Sequence, residues 1–527
     1  MNGRGPAVRT SGRAGGRTGA PARPSAPGAR RRRAAALALT AGALWAVPRY
    51  LPPAVVSLRK RIFAEVNGDR EVTVPGPRFG ADAFARIYSD PAAGGRSEGA
   101  GLSDLFWYWL APGPEVHQEH LENGPRYEEV ARTTRAILAG PSRDVEERAR
   151  RCAARVLDDL PREQVSWVRL RDLMMPVWAE FAYELVFDEP CPPHARRLIV
   201  ANADDVITAL KCTGLRHPRR RARLTRYLLR RLAAGDVPHA LPASLSRREC
   251  AYYLQGTFFN TAVVQLSEAM AHLLLVLAQH PEVQDRLGGG DPEHDRDRAG
   301  GAGTEDGGAA ERPYLDRVLE ETFRLYPLFG IAHRIATDDI AVDEHTTVPR
   351  GTVLCFDYAA YEQSGFADPE VFDPDRWRGV AVKDTRHIPF GIAANRPCPA
   401  WRVAPLAMRG ATRAVLDRFR LRSSVRHTRS LPHRAPCLLL PAGHRVSEPG
   451  VRARLSAMRV RDRTEDVWRS VAQLAFGAWM VHDARRLGLC RNHFARERGA
   501  RPATGTAGTP GDPAGTGRGR CPVSGAG

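Results

Sequence analysis

The sequence predicts a mainly α fold with a minor β region, and three features of its 527 residues point there. Arg-rich amphipathic patterns, apolar at every third or fourth position, run from about residue 127 to 232. An uninterrupted helical period then spans residues 246–280, which at 1.5 Å per residue is about 50 Å, enough to cross a large domain. Strand signals alternating with turns are confined to residues 335–356 and 418–440. Helices therefore supply most of the core, with a small sheet region beside it.

Composition narrows the setting. The formal net charge is +19 and the basic side is almost entirely arginine, which suits an anionic membrane or an acidic protein partner. No zinc finger, RNA-binding signature or basic-aromatic alternation is present, so no nucleic-acid partner is expected. The 9 cysteines fall at irregular spacings without a Cys-x-x-Cys pair, as free thiols in a reducing cytoplasm do. They offer no cluster for an iron–sulfur centre, and no Gly-x-Gly-x-x-Gly follows a strand pattern. Electrons for any redox chemistry must come from a separate protein or from peroxide.

Element by element, residues 1–33 form a Gly/Pro/Arg-rich tail without hydrophobic period, read as disordered. Residues 34–60 hold a short apolar segment behind Arg30–Arg33, shorter than a bilayer span and suited to membrane contact at the surface. The catalytic domain is placed at 72–445, with a disordered Gly/Asp/Arg-rich insertion at 288–312. Phe106-Trp107-Tyr108-Trp109 is its densest aromatic cluster, and core packing is the commoner reason for one. His117 and His120 stand three apart, with no third metal ligand evident from spacing. Ser246-Arg247-Arg248-Glu249 is a capping box that opens the long helix, and Pro281 stops it. Residues 446–497 read as a helical extension, with Val467, Trp468, Val471, Leu474, Ala475, Ala478 and Trp479 at helical spacing to dock on the domain. Residues 498–527 are a low-complexity tail.

Three segments carry the chemistry. Glu321-Thr322-Phe323-Arg324 lies on a helical stretch where i,i+3 spacing puts acid and guanidinium on one face. Phe372-Asp373-Pro374-Asp375-Arg376-Trp377 follows, and then Pro389-Phe390-Gly391-Ile392-Ala393-Ala394-Asn395-Arg396-Pro397-Cys398-Pro399-Ala400. A small-residue loop with Arg two positions before Cys, leading into a helical stretch, suits presentation of one thiolate, favoured by backbone amides and by the helix's positive end. Such a thiolate can ligate haem iron, although an ordinary buried cysteine is the commoner fate of a lone one.

In this order and spacing the three segments resemble the cytochrome P450 superfamily, the haem-thiolate monooxygenases. The resemblance runs from about residue 72 to 445 and implies the cytochrome P450 fold, with haem b as cofactor and Cys398 as the metal ligand. It further implies that Arg396 and Arg334, with an arginine of Arg132-Thr133-Thr134-Arg135, approach the haem propionates, and that Phe390 and Ala394 line the cofactor loop. Glu321, Arg324 and Arg376 would form a buried triad behind that loop, and His280-Pro281 looks like the end of the family's long helix. Ferredoxin and ferredoxin reductase are the implied partners, docking near Arg402, Arg409 and Arg413, and the substrate class is an apolar small molecule.

Three departures accompany the resemblance. Phe390 lies eight residues before Cys398 where the family has seven, and Ala394 and Ala400 stand where it has glycine. Pro405 is expected to kink the helix after the cysteine. The acid–alcohol pair of the family's long helix falls on Val264 and Gln265, so Gln265, or Thr261 one turn earlier, takes over the ordering of water or substrate. This last departure leaves a peroxide-using or isomerising enzyme, or a non-enzymatic haem protein, as alternatives to an external monooxygenase.

Overall fold

The computed structural model describes residues 46–500, apart from positions 60, 63, 64, 289–311, 329, 429 and 445. The apolar run at 34–45, residues 289–311 of the insertion and the tails 1–33 and 501–527 thus lie outside the described residues, whereas residues 498–500, expected in the tail, end the helix Leu489–Ala500.

Five helices, Pro125–Leu138, Ser142–Leu157, Leu170–Phe187, Pro193–Leu210 and Pro218–Ala234, surround the long one and share a single apolar core with it. The Ser246 hydroxyl and the Glu249 carboxylate cap each other's backbone at the start of the long helix. It runs Arg247–Gln279 for 33 residues, with a widened π turn at Gln255–Ala262. Its most apolar window would suit a membrane span, but 67% of that window is buried inside the fold, so its apolarity serves the core. Pro281, which has no N–H to continue the ladder, opens a separate helix Pro281–Gly288.

Among the described residues eight short strands make three small sheets. Strand β1 (Glu71–Val74) pairs parallel with β6 (Val353–Asp357), which pairs antiparallel with β3 (Ile331–Ile335). Strand β8 (Pro436–Pro441) lies between β2 (Ser166–Arg169) and β7 (Phe419–Arg422), while β4 (Ile340–Ala341) and β5 (Thr347–Val348) pair alone.

The helix Val403–Leu416 packs along Ser142–Leu157 at a contact that only glycine permits. A Cβ on Gly410 would lie 2.2 Å from the Glu146 carbonyl oxygen. Pro405 does not kink this helix. It is the third residue, in the first turn, where the N–H has no intrahelical acceptor to lose.

The C-terminal helix Glu448–Leu487 docks on the domain, but through a different face from the one its tryptophans suggested. Val451, Met458, Ala472, Met480 and Ala484 turn inward, and His433 is bonded to Asp466 at 3.0 Å. Trp468 and Trp479 remain 74% and 55% exposed. The aromatic cluster belongs to the same junction: Tyr108 and Trp109 pack in one apolar group with Met480 and Ala484.

Candidate functional site

The loop before Val403–Leu416 is folded around Cys398. The Cys398 N–H donates to the Phe390 carbonyl at 2.9 Å, and the Trp401 N–H donates to the Cys398 carbonyl at 3.3 Å. Gly391 has φ +77°, and a Cβ there would meet the Tyr88 hydroxyl at 2.7 Å. Phe390 lies edge-on to Phe323, ring centres 5.7 Å apart, which ties the loop to the helix Tyr314–Leu325. Ala394 is exposed and does not line the interior. Burial pushes the Cys398 thiol up to about 11 against the pull of the Ala400 amide that faces it. Sequence reasoning expected a helix end to favour the thiolate, but residues 399–402 form a turn and the helix begins only at Val403. Without a ligand to displace its proton, this thiol is neutral.

Beside the loop lie three guanidinium groups that form no ion pair among the described residues. Arg334, on β3, is buried, sits 3.7 Å above the Tyr88 ring and donates to the carbonyls of Tyr88 and Asn395 at 3.3 and 3.2 Å. Arg396 sits 3.7 Å above the Tyr127 ring and donates to the carbonyls of Gln118 and Leu121 at 2.7 and 2.8 Å. Burial, and then the positive charge of Arg96, pull both guanidiniums down to about 10. None of the three makes an ion pair among the described residues, and the Nε atoms of Arg96 and Arg334 are buried without a hydrogen-bond partner. Such a cluster needs an anion.

Arg132 and Arg135 are not part of it. On Pro125–Leu138 the inward face is Val130, Ala131, Thr134 and Ile137, which leaves both arginines exposed. Arg96 takes their place, and sequence reasoning missed it because a lone arginine in Gly94-Gly95-Arg96-Ser97 carries neither period nor motif.

Two buried imidazoles, His117 and His120, and the half-buried His333 surround the cluster with unpartnered nitrogens, both on His117 and Nε2 on His120 and His333. Burial, then nearby positive charge, holds His117 down at about 3 and His333 at about 4, so both rings are neutral. Glu119 supplies a third donor that spacing did not reveal, within 4.8 Å of the His117 and His120 donor atoms. Arg221 acts on His117 and Arg96 and Arg396 on His120, a positive field that opposes a dication there. The same neutral rings suit hydrogen bonding to an anion.

Thr261 lies in the π turn, and its hydroxyl donates to Glu119 Oε1 and Oε2 at 3.0 and 3.2 Å. Burial pushes the Glu119 carboxyl up to about 6, against the Thr261 hydrogen bond and the Arg96 charge. Gln265 is half-buried and its side chain makes no hydrogen bond among the described residues, and Val264 is buried.

Behind the loop, Glu321 is fully buried and accepts five hydrogen bonds. Arg324 Nε and Nη2 donate at 2.8 and 2.7 Å, Arg376 Nε at 3.0 Å, Trp377 Nε1 at 2.9 Å and the Asp373 amide at 3.0 Å. Nearby, His387 lies between Glu362 and Glu320, bonded to them at 3.1 and 3.0 Å. Burial opposes its charge, but the two carboxylates prevail and raise the ring to about 9 from 6.5. Its contribution to stability is therefore complete below pH 6.5 and is lost as pH rises to about 9. Urea unfolding is expected to show a decline of roughly 3 kcal/mol across that window. In His387→Gln the decline should vanish; an identical pH dependence in the variant would exclude His387 as its source.

The expected docking arginines are largely spent within the fold. Arg409 bonds Glu146 at 2.8 Å and Asp316 at 3.1 Å, and Arg413 bonds Glu146 at 2.7 Å. The exposed pair next to the cysteine is Trp401, 50% exposed, with the Arg402 guanidinium 4.6 Å above its ring.

Comparison with known proteins agrees with this geometry. The family model described as Cytochrome P450 matches residues 215–446. Leukotriene-B4 omega-hydroxylase 3 of Mus musculus is 30% identical over 33% of this chain and 33% of its own length. Putative cytochrome P450 135B1 of Mycobacterium bovis is 29% identical over 36% of this chain and 39% of its own length. The chain thus spans little more than a third of these curated relatives. A six-coordinate cytochrome P450 from Thermus thermophilus shares the fold, with TM-score 0.52 and 17% identity over 68% of this chain and 90% of that one. Arg96, Glu119 and Arg132 precede the matched segment.

Proposed function

We propose that this chain is a haem-thiolate monooxygenase of the cytochrome P450 family, whose model matches residues 215–446 and whose cofactor is haem b, and that it acts on an apolar small molecule. The observation that carries this reading is the neighbourhood of one looped thiol and three guanidiniums that form no ion pair among the described residues. When bound through a thiolate, haem supplies dioxygen activation. Cys398 would be its protein ligand, and the Phe390 carbonyl and Ala400 amide hold that residue in place. Arg96, Arg334 and Arg396 would bind the two propionates, since guanidinium groups stay charged when buried and match carboxylates in pairs. Thr261, at the end of the π turn, and Gln265, one turn on in the long helix, would order water and substrate in the haem pocket.

Ferredoxin and ferredoxin reductase are the proposed electron donors, as the likeness to the cytochrome P450 family implies. Their docking face is proposed at Trp401 and Arg402, because Arg409 and Arg413 already pair internally. The cytoplasm is the proposed location, with membrane contact through residues 34–60.

Two measurements test the reading. The reduced carbon-monoxide adduct is expected to show the red-shifted thiolate Soret band. Product formation is expected with NADPH, ferredoxin and ferredoxin reductase but not with hydrogen peroxide alone; the reverse pattern would replace the monooxygenase with a peroxide-using enzyme. Arg96→Leu removes one charge-assisted contact, worth about 1.5–3 kcal/mol. Haem transfer to apomyoglobin should therefore be at least about tenfold faster from the variant. An unchanged transfer rate would remove Arg96 from the propionate site.

A further inference from the structure

The long helix carries no Asp or Glu between Glu249 and Glu268, so it cannot by itself pair an acid with an alcohol beside the iron position. The fold brings that acid from elsewhere. Glu119 belongs to the segment between the short turn Pro114–Val116 and the helix Pro125–Leu138, and both its oxygens accept from the Thr261 hydroxyl. The negative charge of Glu119 also acts on the Cys398 thiol, so the carboxylate lies within electrostatic reach of the cysteine loop.

We propose that Glu119, supplied in trans to the long helix, is the acid that works with Thr261 to deliver protons to the site, a role that rests on the haem-thiolate reading above. Inserting one oxygen atom of dioxygen into a substrate C–H bond releases the other as water. That consumes two electrons, from the redox partner, and two protons. In the carboxylate form the Thr261 hydroxyl donates to Glu119. Once Glu119 is protonated the hydrogen bond reverses: the carboxyl O–H donates to Thr261 Oγ1, and the threonine hydrogen is free to turn into the site. Transfer breaks the threonine O–H bond as the carboxyl proton moves to Oγ1, and the carboxylate then takes a new proton from solvent.

The surrounding charges support the role. Glu119 is raised to about 6, where a carboxyl both gives and regains a proton near neutral pH. It faces Thr261 on the long helix, Arg96 on the segment after Gly95, Cys398 on the loop, and His117 and His120 on its own segment. His117 is held neutral at about 3 and His120 well below its ordinary value, so neither competes as the titrating group.

The test uses the full-length haem-loaded protein and three variants, Glu119→Gln, Glu119→Asp and Thr261→Val. Infrared difference spectra of the resting protein are expected to show a carboxyl C=O band that titrates near pH 6. It should be absent in Glu119→Gln and displaced in frequency in Thr261→Val. Reduction of dioxygen to water driven by NADPH, ferredoxin and ferredoxin reductase, which consumes protons, should fall about 10²-fold in Glu119→Gln and recover in part in Glu119→Asp. The wild-type rate should decline as pH rises through about 6, and the Glu119→Gln profile should be flat. A band that survives Glu119→Gln, a frequency unmoved by Thr261→Val, or a wild-type rate profile in Glu119→Gln each overturns the proposal. A wild-type protein without the thiolate Soret band overturns the haem-thiolate reading itself and this role with it, whatever the carboxyl band does.

Discussion

Cys398→Ser is expected to abolish the thiolate Soret band of the reduced carbon-monoxide adduct while leaving the helical content unchanged. Serine keeps the side-chain shape, so the Cys398 amide still reaches the Phe390 carbonyl and the loop retains its course. What is lost is the sulfur, since a serine hydroxyl does not ionise near neutral pH and is a far weaker ligand. No described cysteine replaces it: Cys152, Cys212, Cys250, Cys355, Cys437 and Cys490 are buried, and Cys191 lies just before the helix Pro193–Leu210. The burial that holds Cys398 neutral at about 11 without a ligand also excludes water from the bond once a ligand is present. Spectroscopy of the two proteins at equal haem loading decides the matter. A red-shifted band that persists in the variant would transfer the ligand role to another residue.

Glu321→Gln is expected to be the most destabilising single substitution in the protein, at about 3–5 kcal/mol. Among the described residues the carboxylate is the only acid paired with Arg324, which is fully buried, and it also holds Arg376, Trp377 and the Asp373 amide. Glutamine keeps one acceptor oxygen but turns an NH2 group toward guanidinium donors, so a buried cation is left without its counter-charge. The consequence extends to the site. Arg324 and Arg376 also bond the Val371 carbonyl, which sets the course of the segment leading to Trp377 and the cysteine loop. Urea unfolding should register the loss, with haem content falling in parallel. Glu321→Leu combined with Arg324→Met should cost less than the sum of the single changes, because it removes the stranded charge. A single-variant loss below about 1 kcal/mol would mean that water reaches the triad and that it is not a buried network.

Where site residues lie on one regular element or in a short motif, they were legible in the sequence. Glu321 and Arg324 share a helix face by spacing alone, and Cys398 is announced by its loop and by Arg396. Where the decisive fact is the phase of a helix in three dimensions, sequence reasoning failed. Arg132 and Arg135 stand on one face, but burial of Val130, Thr134 and Ile137 turns that face to solvent. The tryptophans of the C-terminal helix err in the same way: period showed a helix, while Met480, Ala484 and the His433 contact chose the docking face.

What the sequence alone determined is thus local: the capping box that starts the long helix, the proline that ends it, the acid–arginine pair and the thiol loop. Each follows from backbone geometry or from side chains a few positions apart. Tertiary structure decided the partners that come from distant segments. Arg96 reaches Arg334 and Arg396 across more than 200 residues of chain, and Glu119 reaches Thr261 across 142. Neither contact leaves a pattern in the sequence, because the electrostatic need of a buried charge is defined only once the core has closed around it.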